Sequence, residues 1–300
     1  TFTRTITGFS KVIKKLSPHL VIVHGDRIEA LAATVSSVLN NTRVGHIEGG
    51  EVSGTKDEII RHSISKLSTF HFVSNLKAKK RILQLGENEK NIFVTGSPEM
   101  DIIQSKDLPH IDLSKKRYGI KFSNYSIFIY HPVTNEEKYL YNRMKLIFKS
   151  LKDSGLNYII IFPNNDPGTS KILNLYKTFS KHNNFMFFPS MRFEYYITLL
   201  KNADFIIGNS SSGVREAPSI GINSINIGSR QKNRSDAKSI INISYNRKKI
   251  NSAIIRLKKD NKTTKNYKNF GHGNSYKKVI EILNRTSFWK TSQSKQFRDL

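Results

Sequence analysis

Cysteine is absent from the 300 residues. That excludes disulfides, thiolate nucleophiles and Cys-ligated zinc, and it fits a reducing compartment. Long apolar runs are absent too: no stretch approaches the ~18–20 uninterrupted apolar residues of a membrane span. Gly and Pro, at 17 and 8, are too few for a low-complexity chain. The sequence holds no P-loop, no GxGxxG and no compact ligand spacing such as HExxH, so neither a cofactor nor a structural metal is expected. No charged, apolar and small-residue series marks a signal peptide. The expectation is a cytoplasmic protein with no membrane partner. Acidic residues are scarce, 23 Asp+Glu against 49 Lys+Arg, for a formal net charge of +26. Such a charge invites a nucleic-acid reading. The basic residues are scattered, however, in short clusters such as Lys77–Arg81 and Arg256–Lys259, with no aromatic-interleaved run. A solvated basic surface is the simpler account, and no specific nucleic-acid partner is expected.

What is present is alternation. Leu20–His24 (LVIVH) is a short β-branched run stopped by Gly25-Asp26, and a helix-like stretch, Glu29–Leu39, follows. The pattern repeats through His71–Ser74, Ala78–Leu85 and Asn91–Gly96. A polar segment, Ser105–Lys121, interrupts it. A second series runs from Ser126–Tyr130 to Ser224–Ile227, with a last helix at Ser275–Asn284 and a polar, frayed Ser287–Leu300. Strands alternating with helices predict an α/β fold of parallel sheets in two domains, 1–112 and 113–300. Ligands of such sheets sit beyond the carboxyl ends of the strands. The chain opens at Thr1, without Met, so upstream residues are expected to be missing.

Several loops at strand ends carry chemistry. Asn209-Ser-Ser-Ser-Gly213, between a strand and a predicted helix Val214–Ile220, offers backbone N–H groups and hydroxyls to an anion. One Ser would suffice for an ordinary cap. Glu216 falls in the first helical turn, fit for a ribose or for the dipole. Asp26 and Glu48 each follow a strand, and paired carboxylates can take opposite acid and base roles. Asp57 is either a third such group or a plain N-cap for the helix holding Arg61 and His62. His131 follows a strand and precedes Pro132. Pro163–Gly168 is turn chemistry that also follows a strand. Arg230–Arg234 is a basic loop after Gly228, able to meet an anionic ligand.

Together these segments resemble the hydrolysing UDP-N-acetylglucosamine 2-epimerases. The matching pieces are HGDR at His24–Arg27, HIEGGEVSGTKDEIIRH at His46–His62 and VTGSPEMD at Val94–Asp101. Further on are HPVT at His131–Thr134, FPNNDPG at Phe162–Gly168, GNSSSGVREAP at Gly208–Pro218 and INIGSRQKNR at Ile225–Arg234. The likeness covers about residues 5–285, in order. It implies two Rossmann-like, doubly wound parallel-sheet domains facing across a cleft (GT-B-type), with the N-terminal one incomplete. It implies conversion of UDP-GlcNAc and water to N-acetylmannosamine and UDP, through anti elimination to 2-acetamidoglucal and then hydration, for sialic acid synthesis. Asp26, Glu48 and Asp57 match the acid/base carboxylates, with the C2 base left open among them, and His131 would aid diphosphate departure. Arg27, Arg61, Asn164, Asp166, Ser210, Ser211, Gly213, Glu216 and Arg230 would bind the UDP-sugar. Close relatives act on UDP-2,4-diacetamido-2,4,6-trideoxyglucose for legionaminic acid, and an inactive UDP-binding fragment is a further alternative. A homo-oligomer, dimer or tetramer, is expected by the same likeness. Two departures stand out: Asn233 where the family usually has Gly, and Pro18-His19-Leu20 for Pro-Asp-Leu.

Overall fold

A computed structural model describes residues 2–53, 57–133, 138–165, 167–259 and 266–296. The chain divides into two compact units: Thr1–Gln104 with Lys268–Leu300, and Ser105–Tyr267.

The first unit alternates α1 (Phe2–Leu16), β1 (Leu20–His24), α2 (Ile28–Leu39), β2 (Arg43–Ile47), α3 (Asp57–Leu67), β3 (Phe70–Val73), α4 (Leu76–Gln84), β4 (Ile92–Val94) and α5 (Pro98–Ile103). Its four strands pair in parallel in the order β1-β2-β3-β4. Consecutive strands that neighbour one another, each crossed over by a helix, are the expected result of βαβ connections. Phe70–Val73 is buried at every position, as befits a strand covered on both faces. One cluster packs Val23, Ala33, Val44 and Ile64; another packs Val73, Ala78, Ile82 and Ile92.

The second unit continues with α6 (Ile111–Tyr118), β5 (Ser126–Ile129), α7 (Leu140–Asp153), β6 (Tyr158–Ile161), α8 (Thr169–Phe179), β7 (Phe185–Phe188), α9 (Phe193–Lys201), β8 (Ile206–Gly208), α10 (Glu216–Ser219), β9 (Ser224–Ile227), β10 (Ile240–Ile243) and α11 (Arg247–Lys259). Six parallel strands run β10-β9-β8-β5-β6-β7. Strand order therefore reverses between β5 and β8, the doubly wound arrangement, and the carboxyl ends at such a switch point are where ligands sit. Ile, Phe and Tyr fill the core, with Phe128, Phe148, Tyr158, Tyr176 and Phe205 at its centre.

The end of the chain departs from the sequence reading, which groups 113–300 as one domain and leaves Ser287–Leu300 frayed. Helices α12 (Ser275–Leu283) and α13 (Thr286–Trp289) belong to the first unit. Phe288 stacks on Phe70 with ring centroids 3.9 Å apart, and Ile282 joins the same cluster. Arg43 donates to the carbonyls of Trp289 and Thr291, and Asp101 accepts the N–H groups that open α12. Burial of one aromatic ring is worth more than the local polarity that suggests a frayed end.

Candidate active site

Strand register brings the candidate loops of the first unit to one edge. His24 lies opposite Ile47, and Ile47 opposite Phe72. Gly25-Asp26, Glu48 and Ser74 therefore leave adjacent strands at the same level, and Val73 opposite Val94 adds Thr95–Ser97.

Arg61 is the centre of this edge. Only 2% exposed, it donates to the carboxylate of Asp26 and, at 2.9 Å, to the carbonyl of Glu51. Arg61 is thus a clamp on the carboxylate loops rather than an open sugar contact. Arg81 adds a bond to the Gly50 carbonyl at 3.0 Å, and Ser74 donates to the Glu51 carboxylate. Gly50 must be glycine: its φ is +76, and a Cβ would stand 2.4 Å from the Ala78 carbonyl oxygen. Glu48 adopts the same left-handed region, with φ 66. For a non-glycine residue this is a strained state of the kind that collects at functional sites. Its carboxylate lies 3.4 Å from His24 Nε2 and accepts from Ser97 Oγ, which also meets Glu99. A hydroxyl has one proton to donate, so it serves one carboxylate at a time; the other contact is satisfied when that carboxyl carries a proton. The arrangement can hold and pass one proton. Asp57 opens α3, while Arg27 is exposed and pairs with Glu29 at 3.7 Å.

His24, Glu48 and Glu99 also bring one ligand atom each to within 4.8 Å of one another, the group among the described residues that could hold a metal ion. If the cluster handles protons, EDTA will leave turnover unchanged. A loss restored by Mg2+ or Mn2+ would assign it to a cation instead.

In the second unit, Ile129 lies opposite both Ile161 and Gly208, and Gly208 opposite Asn226. His131, Asn164, Asn209–Ser211 and Arg230 accordingly follow strand ends at one level. Buried Asn209 ties them together. Its side chain accepts from the His131 N–H at 2.7 Å and donates to the His131 carbonyl at 2.8 Å. Its carbonyl accepts from Arg230 at 3.2 Å and from Gln231 at 3.1 Å. The Asn164 N–H donates to His131 Nδ1 at 3.2 Å, which leaves the ring proton on Nε2. Burial, with the Arg230 charge adding to it, lowers the His131 pKa to about 3, so the ring is neutral at pH 7. Asp166 lies outside the described residues.

The Ser loop differs from its expected form. Ser210 caps a 3-10 turn, Ser211–Gly213, by accepting from the Ser212 N–H at 3.3 Å. The helix that follows is only Glu216–Ser219, not Val214–Ile220. Pro218 explains this. It has no N–H, so it fits within the first helical turn and not four residues beyond a start at Val214. A short turn thus stands where a longer helix was expected, and its Ser212, Gly213, Val214 and Arg215 N–H groups are taken up by Ser210 and Ser211. Gly208 and Gly213 permit the fit: a Cβ would meet the Ile129 carbonyl oxygen at 1.9 Å and Ser224 Oγ at 2.7 Å, respectively. Glu216 is buried. Asn233, in place of the usual Gly, has φ 61, a region that Asn tolerates better than other residues with a side chain.

Sequence reasoning missed Asn209, Ser97 and His46 as working parts. His46 is fully buried in β2, and burial lowers its pKa to about 3. Burial likewise lowers His71. For His46 and His131 an unfolded chain takes up the proton near pH 6.5, the folded one only near 3. Between those values the unfolded state binds more protons, so stability falls as pH falls. The expected slope is ~1.4 kcal/mol per pH unit for each of His46 and His131. A melting temperature flat from pH 6.5 to 4 would contradict it.

Solved structures share the fold. A Methanocaldococcus jannaschii UDP-GlcNAc 2-epimerase, solved in complex with UDP-GlcNAc and UDP, aligns with a TM-score of 0.79 at 24% identity, over 94% of this chain and 80% of that one. The family model for UDP-N-acetylglucosamine 2-epimerase matches residues 1–284, and the chain belongs to that family. A UDP-N-acetylglucosamine 2-epimerase of Neisseria meningitidis serogroup B is 44% identical over 99% of this chain and 79% of that protein. A UDP-N,N'-diacetylbacillosamine 2-epimerase (hydrolyzing) of Legionella pneumophila is 32% identical over 93% of this chain and 74% of its own length.

Proposed function

We propose that this chain is a hydrolysing UDP-N-acetylglucosamine 2-epimerase that converts UDP-GlcNAc and water to N-acetylmannosamine and UDP, a supply for sialic acid synthesis. The observation that carries the reading is the pair of carboxylates at neighbouring strand ends, Asp26 held by Arg61 and Glu48 bonded to Ser97. The 44% identity to the Neisseria enzyme supports it.

The C2 proton of the sugar is weakly acidic, so its removal needs a positioned base and a stabilised leaving group together. A carboxylate takes the proton. The C2–H electron pair becomes the C1=C2 bond of 2-acetamidoglucal as the C1–O bond breaks. The electrons of that bond leave on the diphosphate oxygen of UDP. Water then adds its hydroxyl to C1, and a proton returns to C2 from the opposite face. Asp26, Glu48 and Asp57 are the acid/base candidates. His131 Nε2–H, Ser210, Ser211, Gly213 and Arg230 would meet the diphosphate, and Glu216 the ribose. Donors of this kind lower the barrier by stabilising charge as it develops. Asn164 and Asp166 would face the sugar. Arg27 remains a candidate for the same ligand.

Incubation with UDP-GlcNAc in D2O, followed by NMR, tests the reading. Free UDP and N-acetylmannosamine carrying deuterium at C2 are expected. UDP-ManNAc as the final product would indicate a non-hydrolysing epimerase, and no deuterium at C2 would sink the elimination. The Legionella relative motivates a second substrate, a diacetamido-trideoxyhexose linked to UDP. Faster turnover of that sugar in the same assay would favour it.

A further inference from the structure

We propose that His46 is a positioning residue that fixes Asp26 through the carbonyl of Gly25. The inference rests on the epimerase reading, in which Asp26 is an acid/base candidate.

His46 Nε2 lies 2.8 Å from the Gly25 carbonyl oxygen, and Nδ1 lies 3.0 Å from Ser65 Oγ. A carbonyl only accepts, so Nε2 must carry the ring proton. Nδ1 is then a lone pair, and the Ser65 hydroxyl donates to it. Both ring nitrogens are used, and only one tautomer satisfies them. The Gly25 carbonyl belongs to the peptide whose nitrogen is that of Asp26, so holding it sets the position of the Asp26 backbone. Gly25 itself has φ +76, and its N–H donates to the Ile47 carbonyl at 3.1 Å.

The other end of Asp26, its carboxylate, is held by Arg61. Arg61 and Ser65 are four residues apart on α3 and share one face of it. One helix therefore grips Asp26 twice, directly by Arg61 and indirectly through Ser65 and His46. Gly49 leaves room for this: a Cβ there would stand 2.8 Å from Ser65 Oγ and 2.9 Å from His46 Nδ1. Such a brace matters because a misplacement of about 1 Å at a reacting group can cost ~100-fold in rate.

The test compares His46→Gln with His46→Asn. A Gln amide nitrogen reaches the place of Nε2; an Asn amide nitrogen reaches only that of Nδ1. We expect His46→Asn to lower kcat ~100-fold with KM for UDP-GlcNAc changed less than ~3-fold, while His46→Gln recovers to within ~10-fold of wild type. Equal kcat for the two variants, or a loss confined to KM, overturns the proposal. Should either variant fail to fold, 15N NMR of histidine-labelled wild-type protein at pH 7 decides. One ring, its resonance altered by Ser65→Ala, must be the Nε2–H tautomer. The Nδ1–H form there overturns the brace. That measurement needs no turnover, so a failed D2O experiment would remove the epimerase reading without deciding this one.

Discussion

Glu48→Gln and Asp26→Asn are each expected to lower turnover of UDP-GlcNAc by at least ~100-fold, the low end for lost acid–base catalysis. Their effects on stability should differ. Gln keeps the shape of Glu48 and can still bond Ser97, and the backbone is held independently, with the Glu48 N–H donating to the Phe72 carbonyl at 2.9 Å. Glu48→Gln should therefore melt close to wild type while losing the ability to take and return a proton. Asp26→Asn leaves Arg61, 2% exposed, without its counter-charge. Breaking a fully buried ion pair costs ~3–5 kcal/mol. The Asp26 side chain is 28% exposed, which lets water compensate part of that. A loss of ~1–3 kcal/mol remains, or several degrees in melting temperature. Asp57→Asn should cost similar turnover but only the ~0.3–1 kcal/mol of a carboxylate at a helix N-terminus. UDP release and thermal melts on the three variants check these outcomes together. Near-wild-type turnover in all three would discard the carboxylate assignment. A Glu48→Gln protein that melts as low as Asp26→Asn would make Glu48 a structural group.

The parts legible in the sequence were those written locally. LVIVH ending at Gly25-Asp26 is a β-branched run with its own stop signal, and β1 ends at His24. The spacing of such runs gave the parallel sheets and put Asp26, Glu48, His131 and Ser210 at strand ends. Contacts between distant residues were not legible. Phe288 meets Phe70 across more than two hundred residues, and nothing near Phe288 announces a partner. Asn209 looks like one more polar residue in a Ser-rich loop, yet it is buried and bonds His131, Arg230 and Gln231. A histidine inside RVGHI reads as a strand residue with an unlucky polar group. Only burial and the two partners of the ring show that both nitrogens of His46 are used. Chemistry-bearing residue types can be read one at a time; the groups that hold them must be seen together.

His131→Ala is expected to lower turnover ~100-fold or more, the scale for losing one donor to a developing oxyanion. His131→Gln should retain much of it. The ring is neutral and its Nδ1 is occupied by the Asn164 N–H, so Nε2–H is left as an uncharged donor. A Gln amide nitrogen reaches the same place, whereas His131→Asn cannot and should resemble Ala. The pH profiles distinguish a donor from an acid. With the free group at about 3, kcat/KM should show no limb from His131 between pH ~5 and 8, and His131→Gln should leave its shape unchanged. A bound diphosphate opposes the Arg230 charge that helps keep the ring neutral, and so raises its affinity for a proton. That rise would appear in kcat, which reports the complex, and not in kcat/KM. A kcat limb that disappears in His131→Gln would mean that the ring gives its proton to the departing UDP, taking it up only after the substrate has bound.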